Sequence, residues 1–186
     1  MNSYKKHHVH RIKELNDLYF EVLFQKNDLT FAPGSTITLY NKPEFPIFIA
    51  SGIQEAWCRI ILNKNTYSFI YNMNTSKAIN NKSIKINVDV INELPTLLTE
   101  HAPNFIITTE MISPFFSYVS TYPKVKCNVC YLGENKISED WIKSNHSLVN
   151  IKEFKSLNNI YILGNREILS EEAKPFIYKC KCSYLT

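Results

Sequence analysis

Glycine is scarce in this chain, with four in 186 residues. Gly34, Gly52, Gly133 and Gly164 stand apart, each where a turn is needed, so no glycine-rich loop of the kind that wraps a phosphate is present. Long apolar runs are missing too: nothing approaches the roughly 18 consecutive apolar residues of a membrane-spanning helix. The start MNSYKKHHVH is polar and is not a secretory signal, so a soluble, cytoplasmic protein is expected. Charge is not blocked, because lysines alternate with Glu, Asp and Asn and the net charge of +4 is spread thinly. That pattern leaves no electrostatic footprint for nucleic acid and mildly favours small anionic ligands. Cysteine is odd in number, at five, which fits reduced thiols better than a disulfide framework.

What remains is the composition of a folded protein: 45% hydrophobic and 20% charged, enough to build one large core or two small ones. The first half alternates apolar and polar residues with period two in HHVHRIKEL, LYFEVLFQ, STITLYN, FPIFIAS, AWCRIILN and SIKINVDVI. Turn signals QKND, APGS, NKPE and SGIQ separate them, and six short strands so punctuated suggest an antiparallel barrel. The stretch NTYSFIYNMNTSKAINN reads as a short helix or an irregular crossover. From about residue 102 the rhythm changes. NFIITT and KVKCNVCYLG are apolar bursts, ISPFFSYVSTY and SEDWIKSN read as helices, SLVNIKEF and NNIYILGN as strands, and REILSEEAKPFIYKC as a closing helix. Strands alternating with helices predict a parallel sheet with right-handed crossovers. Two units follow, an antiparallel β-barrel over 1–100 and an α/β unit over 101–186, joined within INELPTLLTEHAPN.

Few residues carry chemistry on their own. Cys127 and Cys130 have a CxxC spacing, but three positions apart on a strand they face opposite sides, so buried core thiols are expected rather than a metal pair. Cys180 and Cys182 lie near an end that reads as frayed. His7, His8 and His10 have no companion ligand nearby and read as a solvent-facing edge strand. Trp57 and Trp141 read as core anchors of the two halves. No metal site is expected.

Four segments, in order, resemble the ferredoxin reductase superfamily, with the small NAD(P)H-flavin reductases the nearest in pattern. LTFAPGSTITLY is similar to the strand that leads up to the flavin strand. FIASGIQEAWCRIIL resembles the flavin strand and its successor. NFIITTEMISPFFSYVS matches the first strand and helix of the nicotinamide domain, and NNIYILGNREILSEEAKPF its last strand, glycine turn and helix. The resemblance spans nearly the whole chain. It implies a flavin-type barrel followed by a shortened NAD(P)-type α/β domain, with hydride passing from NAD(P)H to a flavin (FMN, FAD or riboflavin) at their interface. It also implies contacts from Ile47, Phe48, Ile49, Ala50 and Ser51 to the flavin, and from Thr108, Thr109, Ser113, Pro114 and Gly164 to the nicotinamide. Arg166, after Gly164, reads either as a phosphate contact or as a solvated helix-start residue. The alternative is a non-catalytic module on the same scaffold, binding a protein partner or a flavin without turnover.

Two departures from the family pattern have physical consequences. Phe45 stands where the flavin strand has Arg, and Phe48 where it has Ser. Without that charge and hydroxyl, binding weakens by roughly 2 to 4 kcal/mol unless something replaces them. Ring stacking would return about 0.5 to 1.5 kcal/mol; otherwise both phenylalanines are packing. Thr108, Thr109, Glu110 and Met111 replace the glycine-rich turn. A carboxylate at Glu110 about 5 Å from a phosphate costs roughly 3 kcal/mol at an effective dielectric of 20.

Overall fold

The computed structural model of the chain describes residues 4–73, 82–89, 103–108, 111–133, 136–156, 160–164 and 183–185. Six antiparallel strands come first: β1 (Lys5–Glu14), β2 (Tyr19–Gln25), β3 (Thr36–Leu39), β4 (Lys42–Phe48), β5 (Trp57–Asn63) and β6 (Ser83–Asp89). Their order in the sheet is β4-β3-β6-β1-β2-β5. Period-two sequence becomes two-faced structure: along β5, Cys58, Ile60 and Leu62 are buried while the residues between them are partly exposed. The inward set, including Phe20, Val22, Phe24, Ile37, Ile60 and Leu62, makes one core. The two ends of the sheet approach each other at an Ile49–Ile60 bridge, where the Ala50 N–H donates to the Arg59 carbonyl at 2.8 Å. The expected barrel is thus a curled sheet joined along one short seam.

Turn chemistry explains the entry to β3. In Ala32-Pro33-Gly34-Ser35, Pro33 sets the first corner and Gly34 takes φ 96°, a conformation other residues resist. The Ser35 N–H then donates to the Ala32 carbonyl at 3.0 Å, and the Ala32 N–H to Ser35 Oγ at 3.0 Å. After β5 the chain forms α1 (Ser68–Asn72), whose buried Ile70 closes the first core.

The second unit is a parallel sheet of β7 (Asn104–Ile107), β8 (Asn128–Tyr131), β9 (Ser147–Leu148), β10 (Ile160–Leu163) and β11 (Ser183–Leu185), in the order β11-β10-β7-β8-β9. All four residues of β7 are buried, as a strand covered on both faces requires. Helix α2 (Ile112–Thr121) links β7 to β8 and α3 (Lys136–Asn145) links β8 to β9. A second core gathers Phe105, Phe115, Tyr118, Cys127, Val129 and Ile142. No helix among the described residues is long and apolar enough to cross a membrane.

Several expectations change. The turn expected at NKPE is there but begins earlier: its corner is Tyr40–Asn41, and Pro43 already lies inside β4, where a proline is tolerated because β4 ends the sheet. β1 is not an edge strand but lies between β6 and β2; His7 is buried, with its Nδ1–H donating to the Gln25 carbonyl at 2.9 Å, while His8 and His10 face out. SLVNIKEF is a two-residue strand followed by a 3-10 turn at Ile151–Ser156, because Asn150 Oδ1 accepts the Lys152 N–H at 3.1 Å and turns the chain. Helix α3 begins two residues before Ser138. The chain end is not frayed at 183–185, where β11 pairs with β10. Trp141 packs against the second core as expected, but Trp57, equally half-buried, lies outside the first core and stacks on His10 with ring centroids 4.4 Å apart. Cys127 and Cys130 are both buried, as read from their spacing. The closing helix, Arg166, Cys180, Cys182 and most of the expected linker lie outside the described residues.

Candidate functional site

The second sheet has a topological switch point. From β7 the chain runs outward through β8 to β9, then returns to β10 on the other side, so the carboxyl ends of β7 and β10 border the crevice where open α/β sheets take ligands. Thr108 follows β7 and Gly164 follows β10. Sequence reasoning named both, and the structure brings them together. The Thr108 N–H donates to the Leu163 carbonyl at 3.0 Å, and a Cβ on Gly164 would lie 2.7 Å from Thr108 Cγ2. Gly164 is therefore glycine because Thr108 fills the space above it.

Helix α2 starts beside this pair, its Met111 N–H donating to the Thr108 carbonyl at 3.0 Å. Ser113 and Pro114 lie in the first turn and are buried. No side chain caps this end and no acidic residue lies in its first turn, which leaves the helix start receptive to an anion. Pro114 has no N–H, so one donor is missing. Thr109 and Glu110 fall outside the described residues.

The same helix meets the first sheet along the IASG segment. Ile49, Ala50 and Ser51 are fully buried. Their polar groups are engaged: Ile49 N–H donates to the Ser35 carbonyl at 3.1 Å, Arg59 Nη2 to the Ala50 carbonyl at 2.9 Å, the Arg59 N–H to Ser51 Oγ at 3.1 Å, and Ser117 Oγ to the Ser51 carbonyl at 2.8 Å. Gly52 lies so close to α2 that a Cβ there would come within 2.7 Å of the Ser120 carbonyl carbon. Gln54 donates to the Ser120 carbonyl, and the Ile53 N–H to Thr121 Oγ1 at 3.2 Å. The Arg59 guanidinium sits 5.9 Å from the centre of the Phe116 ring. The expected flavin segment is therefore the joint between the two units. Burial beneath it pushes the Cys58 thiol up to about 12, so this cysteine stays protonated and inert.

Ile47 points into the first core, whereas Phe48 is half-buried and packs against the second. Phe45 is 45% exposed, so it fills neither core. Its ring and that of Tyr67 each lie 5.7 Å from Lys42 Nζ, and Tyr67 donates its hydroxyl to the Phe45 carbonyl at 3.4 Å. Between that cation and the joint, β4 has no strand neighbour on its outer side among the described residues until the bridge at Ile49. The surface on offer is aromatic, with an open backbone edge and a positive charge at its far end. Among the described residues no group of three or more His, Cys, Asp or Glu is placed to hold a metal.

Sequence reasoning missed Ser117, Arg59, Lys42 and the role of Gly52. Ser117 had a faint signal, standing one helical turn from Ser113 on the same face of α2.

No protein-family model and no curated protein matches the chain. Solved structures do. The FAD/NAD-binding domain of nitric oxide dioxygenase from Vibrio cholerae is similar over 98% of this chain and 99% of its own, with a TM-score of 0.67 and 9% identity. Ferredoxin-NADP+ reductase from Plasmodium falciparum matches over 94% of this chain and 89% of its own, with a TM-score of 0.69 and 13% identity. Phthalate dioxygenase reductase matches over 97% of this chain and 66% of its own, with a TM-score of 0.68 and 11% identity. The chain has the ferredoxin reductase-like fold, a β-barrel-type sheet followed by a parallel α/β unit.

Proposed function

We propose that this chain is a flavin-binding oxidoreductase module that takes hydride from NAD(P)H, divided near residue 100 into a flavin unit and a nicotinamide unit. The observation that carries this is the placement of Phe48 and the IASG segment against α2, beside the switch point at Thr108 and Gly164. Phe48 offers a ring face, and Ile47, Ile49, Ala50 and Ser51 form the rigid floor beneath it. Lys42, 5.7 Å from the Phe45 ring, would offer an anionic flavin tail the charge that Phe45 cannot. Thr108, Ser113, Pro114 and Gly164 border the nicotinamide side, and the first turn of α2 is the candidate seat for its phosphates, weakened by the charge of Glu110.

A bound flavin would supply a ring able to accept a hydride and pass its electrons on. The chain's own work is position: donor and acceptor rings must be held roughly 3 to 3.5 Å apart at the joint, with water excluded. Cys58, Cys127 and Cys130, none of them in a disulfide, suit a reducing, cytoplasmic setting.

The test is a titration of FMN, FAD and riboflavin by fluorescence quenching, then NADH and NADPH oxidation with flavin present. Saturable quenching with protein-dependent oxidation is expected. Absence of quenching by all three would remove flavin. A second reading rests on the tight packing of Thr108 over Gly164 and on Pro114: these favour a module that holds a flavin or a protein partner without turnover. Quenching without oxidation selects it.

A further inference from the structure

At the far end of the first sheet, about 20 Å along β4 from Phe48, lies a groove of about 310 Å³. Tyr40, Phe69 and Met73 form its walls, Ile70 and Ile84 its floor, and Lys85 its rim, and no acidic residue lines it among the described residues. Tyr40 is 58% and Phe69 37% exposed, even though Tyr40 meets the Tyr4 ring edge-on at 5.4 Å and Phe69 the Tyr67 ring at 6.5 Å, so much of both rings still faces water. Lys85 Nζ lies 5.2 Å from the centre of the Tyr40 ring. Lys6 is directly opposite Lys85 in the β1–β6 register, and both side chains are exposed. Like charges directly opposite on a sheet repel, and among the described residues neither lysine forms an ion pair.

Exposed rings beside an uncompensated pair of cations are complementary to a flat aromatic ligand that carries a negative charge. We propose that this groove binds a nucleoside monophosphate, its base against Tyr40 and Phe69 and its phosphate between Lys85 and Lys6. The volume is at the small end for ligand sites, which suits one nucleotide rather than a dinucleotide. Two lysines favour phosphate over a neutral nucleoside, and the aromatic walls favour a base over phosphate alone. The groove is separate from the joint between the two units, although it adjoins Lys42 at the far end of the proposed flavin surface; Lys85 and Lys6 lie outside that surface, so variants at them test this assignment apart from the flavin reading.

Isothermal titration of the full chain at low salt with AMP, adenosine and inorganic phosphate tests it. AMP should bind saturably and at least tenfold more tightly than either fragment, and Lys85→Glu should weaken it at least tenfold while leaving flavin quenching unchanged. Lys6→Glu, on the neighbouring strand, should do the same and keeps the test decisive if the first variant fails to fold. AMP binding no tighter than its fragments, or unaltered by both substitutions, overturns the assignment.

Discussion

Ser117 and Ser51 are both fully buried, so the hydrogen bond between them cannot be replaced by water. Removing the donor leaves a carbonyl stranded, at a cost of about 1–3 kcal/mol. Ser117→Ala should therefore lower stability by that amount in urea denaturation, and no change would mean that another group reaches Ser51. His146 gives a second residue-scale expectation. Its Nδ1 accepts the Cys127 N–H at 3.3 Å, and its ring stands edge-to-face with Phe115. Burial, then the nearby Lys126, holds its pKa below the usual histidine value. The unfolded chain thus takes up the proton first, so stability is present above about pH 6.5 and is lost as pH falls through the folded value. Denaturation midpoints measured from pH 7.5 to 5 should fall for the native chain and flatten in His146→Gln. What the sequence could and could not disclose follows the same distances. Thr108, Ser113, Pro114 and Gly164 were legible because strand ends and helix starts are local. The pairing of Ser117 with Ser51 spans 66 positions and has no local trace. Phe45 was weighed as packing or stacking, and only its 45% exposure shows that it fills neither core.

At the level of elements, period two and turn chemistry carried the first sheet: the Ala32–Ser35 turn and the buried alternation of β5 follow from residue type alone. Elements that depend on a distant neighbour were not legible. β4 accepts Pro43 because no described strand pairs with its outer side there, and β11 is three residues whose strand character comes from lying beside β10. That dependence runs both ways. β10 contributes Ile160, Ile162 and Leu163, all fully buried, and is kept from being an edge by β11. Deleting residues 183–186 should cost on the order of 2–3 kcal/mol, one net hydrogen bond per paired residue. The unpaired edge should also promote self-association. A truncated chain that melts with the full-length one and stays monodisperse in light scattering would show that β11 contributes nothing.

For the whole molecule, the two cores are coupled among the described residues through one short joint: Phe48, the Ser51–Ser117 bond, Gly52 against α2, and Arg59 over Phe116. Gly52 is its tightest point, since a side chain there meets the backbone carbon of Ser120 at 2.7 Å and its oxygen at 2.8 Å, atoms that cannot move without shifting the helix. Gly52→Val should push α2 away while sparing both cores, at a cost of about 1–3 kcal/mol from overpacking. The chain carries a reporter for each side, because one of its two tryptophans, Trp57, belongs to the first unit and the other, Trp141, packs on Phe116 of α2 in the second. In Trp57→Phe and Trp141→Phe backgrounds, the remaining fluorescence follows one unit at a time through urea unfolding. With Gly52 in place the two midpoints should coincide, as a coupled pair of units unfolds together. In the Gly52→Val variant they should separate, and flavin quenching should weaken at least tenfold, since the ring surface of Phe48 works only against an aligned α2. Coincident midpoints with undiminished quenching in that variant would place both the mechanical joint and the flavin site elsewhere.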